Sequence, residues 1–291
     1  MTDSQKKLFG FLNIYKPVGM TSHDVVAFLR RLTKIRQIGH TGTLDPFAEG
    51  VLPICIGKAT RLIEYLEDDK EYMATVQFGA DTTTYDIEGE KTFTSDLKVE
   101  QVDVENALKS FEGEIQQLPP IFSAIKIKGK KLYEYAREGK DVEIQPRTVT
   151  IENIELKKFD KNLQQAEILI KCSKGTYIRS IAYDLGRILK SGAHLIKLVR
   201  TQAGRFLVEN SVQLENLEVV SNLINPVDML NLPQLNVDSE ELDQISHGIS
   251  IANRLDYFIQ NGNFISLTYN NNVAAVGQLD GSKIKIKKVF L

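Results

Sequence analysis

Hydrophobic and polar residues follow two different periods along this chain, so both helices and strands are predicted. Apolar residues recur every three to four positions in residues 22–36, 104–111 and 178–188, which indicates amphipathic helices. They recur at every second position in residues 72–78 and 166–172, which indicates half-buried strands. Ser22 is a suitable N-cap for the first helix, which we expect to run to Arg36.

Short apolar segments add further strands between these elements. VLPICIG reads as a buried strand, a short helix is predicted near residues 61–66, and HLIKLVRT and the segment from Val149 read as strands. The turn FDKNLQQ joins two strands as a hairpin. Such mixed order favours an α+β fold with a mixed, largely antiparallel sheet and flanking helices.

The last part of the chain has a different character. Pro226 and Pro233 mark a linker zone. NFISLTYN, NVAAVGQLD and KIKIKKVF are three short strands separated by Asn-Asn and Asp-Gly, which predicts a small β module of about 55 residues. We therefore expect two domains, at 1–232 and 233–291, with an insertion at about 118–147 where two prolines and a lysine cluster interrupt the pattern.

Composition limits the classes of function. The chain has 291 residues, of which 42% are hydrophobic and 25% charged, as in a globular protein. Its net charge of −2 gives no general signal for nucleic acid, so an RNA site would have to be a local basic patch. Cys55 and Cys172 are too few for a disulfide framework, and the four scattered histidines show no metal-ligand spacing. No run approaches the roughly 18 apolar residues of a membrane span, so we expect a cytoplasmic protein, and a monomer by default.

One glycine-rich segment, GHTGTLDPFAEGVL, contains the best candidate for chemistry. Asp45 precedes Pro46, which fixes its own φ and biases Asp45 toward an extended conformation, so the carboxylate is rigidly mounted. Asp45 could instead accept hydrogen bonds from its own turn as a structural residue. His40 in the same segment could be an acid or base, a metal ligand, an aromatic plate against a nucleobase, or a structural residue.

Two further clusters carry charge. Arg179, at a strand-to-helix junction, would keep an adjacent carboxylate ionised, or it could be an ordinary surface arginine. The cluster in the insertion could grip RNA through its cations and aromatic rings, or it could be a solvated hairpin. Its lysines are Lys126, Lys128, Lys130 and Lys131, with Tyr133 and Tyr135 beside them.

Five segments of the chain resemble, in order, the motifs of the bacterial tRNA pseudouridine synthase B family. They are KPVGMTS, GHTGTLDPFAEGVLP, TTTYDIEG, PPIFSAIKIKGKKLYEYAREG and GTYIRSIAYDLG, and the resemblance spans most of the chain from Leu8 to about Phe206. The C-terminal β module is similar to the small RNA-binding domain, of the PUA type, that such enzymes carry. The resemblance implies the pseudouridine synthase fold.

The same resemblance implies an activity and roles for individual residues. The activity is isomerisation of uridine 55 in the T loop of tRNA to pseudouridine, without cofactor or metal, and the implied partner is tRNA. Asp45 matches the catalytic aspartate, Arg179 the arginine that pairs with it, and Tyr72 the tyrosine that stacks on the target base. Tyr177 and Leu198 match positions of the substrate pocket. His40 matches the histidine that fills the space left by the flipped nucleotide, and the insertion matches a segment that closes over the RNA.

Two other functions fit the residues less closely. A non-catalytic RNA chaperone could use the same basic insertion and β module to bind and refold tRNA. A metal-dependent hydrolase could use Asp45 with Glu49, although the sequence shows no ligand cluster for it.

Overall fold

Two β-sheets organise the chain, whose computed structural model describes residues 8–123, 125–127, 129–140, 142–255 and 258–291. In chain order the strands are β1 (Gly10–Lys16), β2 (Ile38–His40), β3 (Glu49–Ile56), β4 (Lys70–Phe78), β5 (Ala80–Thr82), β6 (Lys91–Thr94), β7 (Gly113–Gln117), β8 (Lys126–Ile127), β9 (Lys130–Lys131), β10 (Arg147–Asp160), β11 (Gln165–Cys172), β12 (Ala193–Ala203), β13 (Phe206–Leu207), β14 (Val212–Gln213), β15 (Gln234–Asn236), β16 (Ile251–Ala252), β17 (Phe264–Tyr269), β18 (Asn272–Asp280) and β19 (Lys283–Val289). The α-helices are α1 (Ser22–Thr33), α2 (Gln101–Leu108), α3 (Leu132–Arg137), α4 (Ile178–Ile188), α5 (Pro226–Met229) and α6 (Ser239–Ser246).

The larger sheet is mixed and mostly antiparallel. Among the described residues it has ten strands, with the order β14-β1-β3-β12-β4-β11-β10-β7, while β2 pairs with β3 and β13 with β12. The pairs β1–β14 and β3–β12 are parallel, and the other pairs of this sheet are antiparallel. With helices packed against it, this sheet confirms the predicted α+β class.

Helices cover one face of the large sheet. The apolar stripes of α1 and α4, which include Val25, Leu29, Ile181 and Leu185, share one core with the inward side chains of the strands. The first helix differs in detail from the prediction. Its N-cap is Thr21 rather than Ser22, because Thr21 and Asp24 form a reciprocal capping box, and it ends at Thr33 rather than at residue 36 because Lys34 is left-handed (φ 60°).

Strands β1 and β3 are buried on both faces, which explains why VLPICIG shows no alternation. Leu52 and Ile54 face the helices, whereas Val51 and Cys55 belong to a second cluster with Val276 and side chains of the C-terminal region. Burial raises the pKa of the Cys55 thiol to about 12, as expected for an unreactive core cysteine. The short helix predicted after this strand is a 3-10 helix, Gly57–Tyr65.

The C-terminal region forms a sheet of its own with the order β15-β17-β18-β19-β16. The three predicted strands are confirmed as β17, β18 and β19, and Asn270 and Asn271 have the positive φ that the tight turn requires. The sequence prediction missed β15, β16 and α6. The two strands are only three and two residues long, too short for a period to be visible.

One close approach fixes how β3 meets β12. A Cβ at Gly50, where φ is 106°, would lie 2.3 Å from the carbonyl oxygen of Arg200. Only glycine permits this backbone contact, which brings the start of β3 against β12. None of the helices in the described part of the chain combines the length and the apolar character of a membrane span.

Candidate active site

A cavity of about 640 Å³ opens on the helix-bearing side of the large sheet. It is lined by the loop 41–46, the side chains of Tyr72 on β4 and Leu198 on β12, the turn 84–88, residues 122–123 of the insertion, and the segment leading into α4. The volume falls within the range of pockets that enclose a ligand of nucleotide size.

The loop that carries Asp45 is fastened at both ends. The Leu44 amide donates to Ser22 Oγ at 2.8 Å, and the Gly19 amide donates to the Pro46 carbonyl at 2.8 Å. Thr41 continues the pairing of β2 by donating to the Pro53 carbonyl at 3.1 Å. The backbone around Asp45 is therefore held by α1 and β3, and its side chain is free to point into the cavity.

Arg179 meets the Asp45 carboxylate from the first turn of α4. Arg179 Nη2 donates to Asp45 Oδ1 at 3.3 Å, and Arg179 Nε lies 2.9 Å from Oδ2. Asp45 is 35% exposed, whereas Arg179 is 5% exposed. The Asp45 carboxylate thus contacts an arginine that lies 134 residues away in the chain.

A second carboxylate approaches the same guanidinium. Asp86 Oδ2 lies 3.3 Å from Arg179 Nη1, and the Asp86 side chain is 3% exposed. Nη1 also donates to the Thr84 carbonyl at 3.0 Å, and Thr84 Oγ1 donates to Asp86 Oδ1 at 2.5 Å. Arg179 thus bridges the two acidic groups and cannot turn away without removing the guanidinium from both.

The turn that supplies Asp86 is held in a strained conformation. Tyr85 has φ 62°, which is rare for a bulky residue, and its ring stacks on Tyr183 with centroids 4.1 Å apart. Tyr183 lies one helical turn after Arg179 on α4. The stack therefore packs the Asp86 turn against the same helix that carries its arginine.

Opposing influences act on the protonation of Asp45. Burial raises its pKa, Arg179 opposes the rise, Asp86 adds to it, and Lys16 again opposes it. Lys16 is fully buried and donates to the carbonyls of Pro17 at 2.8 Å and Met20 at 2.6 Å. Burial lowers the pKa of Lys16 to about 8, so the ammonium that supports an ionised Asp45 is present near neutral pH.

Arg200 holds the loop that carries Asp45 through hydrogen bonds to backbone carbonyls. Its side chain is 1% exposed, and Nε donates to the Val51 carbonyl at 2.7 Å. Nη2 donates to the Gly42 carbonyl at 3.1 Å and Nη1 to the Thr43 carbonyl at 3.4 Å. A buried arginine with carbonyl partners fixes the loop by hydrogen bonds and places a positive charge in the cavity wall.

Replacing Arg200 with methionine is expected to destabilise the protein by about 2–4 kcal/mol, because three carbonyl groups lose their donor. Urea unfolding measures this loss. Arg205→Met is the matched control, because Arg205 is 41% exposed and its replacement should cost less than about 1 kcal/mol. Equal losses in the two variants would contradict a supporting role for Arg200.

Three other predicted pocket residues lie in the cavity wall. Tyr72 is 7% exposed and sits opposite Arg200 in the β4–β12 register, and burial raises the pKa of its hydroxyl. Leu198 precedes Arg200 by two positions and lies on the same side of β12. Tyr177 N donates to Gln117 Oε1 at 2.7 Å, which ties the start of α4 to the insertion.

The remaining predicted site residues lie outside this wall. His40 ends β2 just before the lining loop, and burial lowers the pKa of its imidazole. Lys126, Lys130 and Lys131 form the hairpin β8–β9 of the insertion, whereas Lys128 lies outside the described residues. Lys130 is ion-paired with Glu138 and stands 4.9 Å from the centroid of the Tyr135 ring.

Sequence reasoning missed Lys16, Asp86 and Arg200 as individual residues. Lys16 and Asp86 lie inside the quoted motifs KPVGMTS and TTTYDIEG, but nothing in their spacing shows that they approach Asp45. A signal existed for Arg200, since it lies two positions after Leu198 on a predicted strand and therefore on the same, inward face. Within the described residues, no three or more His, Cys, Asp or Glu side chains are grouped closely enough to hold a metal ion. Glu49, the second carboxylate of the hydrolase hypothesis, forms an ion pair in which Oε1 lies 3.4 Å from Lys197 Nζ.

The chain is similar to known proteins over nearly its whole length. Residues 30–178 match the model of the TruB family pseudouridylate synthase N-terminal domain, and residues 179–230 match that of the tRNA pseudouridylate synthase B C-terminal domain. The chain is 41% identical to the tRNA pseudouridine synthase B of Caldanaerobacter subterraneus subsp. tengcongensis, over 97% of this chain and 99% of that protein. It is 42% identical to the protein of the same name from Carboxydothermus hydrogenoformans, over 97% and 98%.

A solved structure shares the fold over the whole chain. A protein in the structure of an H/ACA RNP bound to a substrate RNA containing 2′-deoxyuridine superposes with a TM-score of 0.73 at 25% identity, covering 100% of this chain and 88% of that one. Together with the two domain matches and the near full-length relatives, this similarity shows that the chain belongs to the TruB family of pseudouridylate synthases.

Proposed function

We propose that this protein converts uridine 55 in the T loop of tRNA to pseudouridine, without cofactor or metal, and that Asp45 is its catalytic residue. The observation that carries the proposal is the Asp45 carboxylate, held by Arg179 at the edge of a nucleotide-sized cavity. One positioned carboxylate is the minimum equipment that the reaction requires.

The reaction is an isomerisation, so the substrate supplies every atom of the product. The N1–C1′ bond breaks, the uracil turns, a C5–C1′ bond forms, C5 loses a proton and N1 gains one. An ionised Asp45 serves equally for attack at C1′, attack at C6, or removal of the 2′ proton, because the neighbouring residues are the same in each route. Arg179 and Lys16 favour the ionised form that all three need.

The target uridine has to leave its loop to reach Asp45. Flipping it out costs a few kcal/mol of stacking, which the enzyme recovers inside the cavity. Tyr72 stacks on the base, Tyr177 and Leu198 enclose it, and His40 fills the gap that the nucleotide leaves in the RNA. The rings of Tyr72 and Tyr177 and the aliphatic side chain of Leu198 suit a flat, partly apolar base.

The rest of the chain provides the grip on the RNA. The insertion holds the T loop through Lys126, Lys128, Lys130 and Lys131, and the small module at 233–291 adds a PUA-like RNA contact to the catalytic domain at 1–232. These basic groups meet phosphates, so binding weakens as salt is raised. The enzyme acts as a monomer in the cytoplasm.

Pseudouridine formation in an unmodified tRNA transcript tests the proposal. The protein should convert the uridine at position 55 in the presence of a chelator, and a transcript with cytidine at that position should remain unmodified. Binding of the transcript without conversion would instead identify an RNA chaperone. Conversion that stops in chelator and returns with a divalent ion would overturn the metal-free mechanism.

A further inference from the structure

Ser123 carries a hydroxyl group that makes no hydrogen bond within the described part of the chain. The residue is 5% exposed and lines the cavity, and its Oγ is buried without a hydrogen-bond partner among the described residues. A hydroxyl can both donate and accept, and burying one without a partner is unfavourable. An orphaned hydroxyl in the wall of a ligand cavity is therefore explained by a partner on the ligand.

The position of Ser123 is fixed relative to the catalytic pair. The preceding carbonyl, that of Phe122, accepts from Arg179 Nη2 at 2.9 Å, and the same nitrogen donates to Asp45. The Ser123 carbonyl accepts from the Tyr133 amide at 3.2 Å, and the Leu118 carbonyl accepts from Ser180 Oγ at 2.8 Å. Ser123 thus follows directly after the residue whose carbonyl binds the Arg179 guanidinium, and that guanidinium also binds Asp45.

The chemistry of the surrounding groups indicates which part of a nucleotide Ser123 meets. Lys70 and Lys174 line the same cavity and are the groups suited to a phosphate. The Ser123 hydroxyl is neutral. It makes a side-chain contact with the Tyr177 hydroxyl that falls short of a well-formed hydrogen bond but opposes the burial-driven rise of the tyrosine pKa. Two neutral hydroxyls side by side match the neutral carbonyl and imide groups of uracil.

We propose that Ser123, next to Tyr177, binds the carbonyl–imide edge of the flipped uracil and holds that edge while the base turns. This inference rests on the proposed function. A half-turn of uracil about the line through N3 and C6 exchanges N1 with C5, as the reaction requires, and exchanges O2 with O4. The edge presents the same pattern of acceptor, donor and acceptor before and after the turn. A rotatable hydroxyl that faces this edge therefore keeps a hydrogen-bond partner throughout the turn. In cytosine the same turn would exchange an amino group for a carbonyl, so the pattern would change.

Ser123→Ala removes the hydroxyl and is the variant to test. The single-turnover rate and the dissociation constants are measured on a T stem-loop RNA, on the same RNA with an abasic residue at the target position, and on the same RNA with 2′-deoxyuridine there. The variant should bind the uridine and deoxyuridine RNAs about five- to tenfold more weakly and bind the abasic RNA unchanged. Its single-turnover rate should fall about tenfold, and Ser123→Thr, which keeps a hydroxyl, should recover most of it.

Two controls separate this role from a structural one. Loss of an unpartnered hydroxyl should leave the urea midpoint of the free protein unchanged, and Ser221→Ala, at an exposed serine outside the cavity, should bind all three RNAs normally. Equal weakening on the abasic RNA, or no weakening on any RNA, would overturn the inference. An effect lost with 2′-deoxyuridine would assign the contact to the ribose instead. The binding measurements stand even if the wild type converts no uridine, so failure of the proposed function remains distinguishable.

Discussion

Replacing Asp45 with asparagine is expected to abolish pseudouridine formation, with a loss on the order of 10³-fold or more in the single-turnover rate. Asparagine has nearly the same shape and keeps an oxygen that can accept from Arg179, so the cavity should keep its form. It lacks the negative charge that each route through Asp45 needs. The affinity for the T stem-loop should stay within about twofold, because the carboxylate adds no favourable contact to phosphate.

The matched control for Asp45 is an aspartate that does cap its own turn. Asp160 Oδ1 accepts from the amides of Asn162 and Leu163, both at 2.9 Å. Asp160→Asn should retain full activity, since an asparagine oxygen accepts the same bonds. Substantial conversion by the Asp45→Asn variant would remove Asp45 from the reaction and leave it as a structural residue of the loop.

Replacing Arg179 with methionine is expected to damage both activity and stability. The change leaves Asp86, which is 3% exposed, without its cation. Breaking one side of such a buried ion pair costs about 3–5 kcal/mol, which urea unfolding would measure. The single-turnover rate at neutral pH should fall at least about a hundredfold, because the carboxylate of Asp45 also loses its orientation.

Loss of Arg179 should also change the pH dependence of the reaction rate. The pKa of Asp45 is already raised by burial, and Arg179 is the first group that opposes the rise. Activity requires the ionised form, so it is present above that pKa and is lost as pH falls through it. Without Arg179 the pKa rises further, and the acid limb of the rate profile must move to higher pH.

A double variant separates the two effects of Arg179. In Arg179→Met with Asp86→Asn, the buried Asp86 charge is gone together with its partner, so much of the stability should return. The activity should not return, because Asp45 still lacks its cation. Recovery of activity in the double variant, or an unmoved acid limb in the single one, would contradict the role given to Arg179.

Local pattern predicted the helices α1, α2 and α4 and most of the longer strands, although it missed β1. The period-2 segments became β4 and β11, the period-3.6 segments became α1, α2 and α4, and the Asn-Asn turn became the tight connection between β17 and β18. These elements follow from sequence because each needs only neighbouring residues to define a buried face. The end of α1 was misplaced by three residues, since continuing the apolar pattern cannot reveal a left-handed Lys34.

The motifs also allowed the family and the candidate residues to be recognised from sequence, but not how those residues act on one another. From the sequence alone, Arg179 could be an ordinary surface arginine. In the structure its side chain is 5% exposed and lies between two carboxylates. Asp86 and Lys16 were not predicted as site residues, because neither has a distinctive spacing relative to Asp45.

The sequence alone was enough to predict the longer elements, the α+β class and the family, because these depend on local periodicity and on motif order. The three-dimensional fold was needed to show that Asp45 faces Arg179 and that Arg200 holds the loop by three carbonyls. It was also needed to show that the Ser123 hydroxyl lacks a hydrogen-bond partner among the described residues. Buried charges and hydroxyls are satisfied by groups far away in the chain, and that pairing exists only once the sheet and α4 have brought them together.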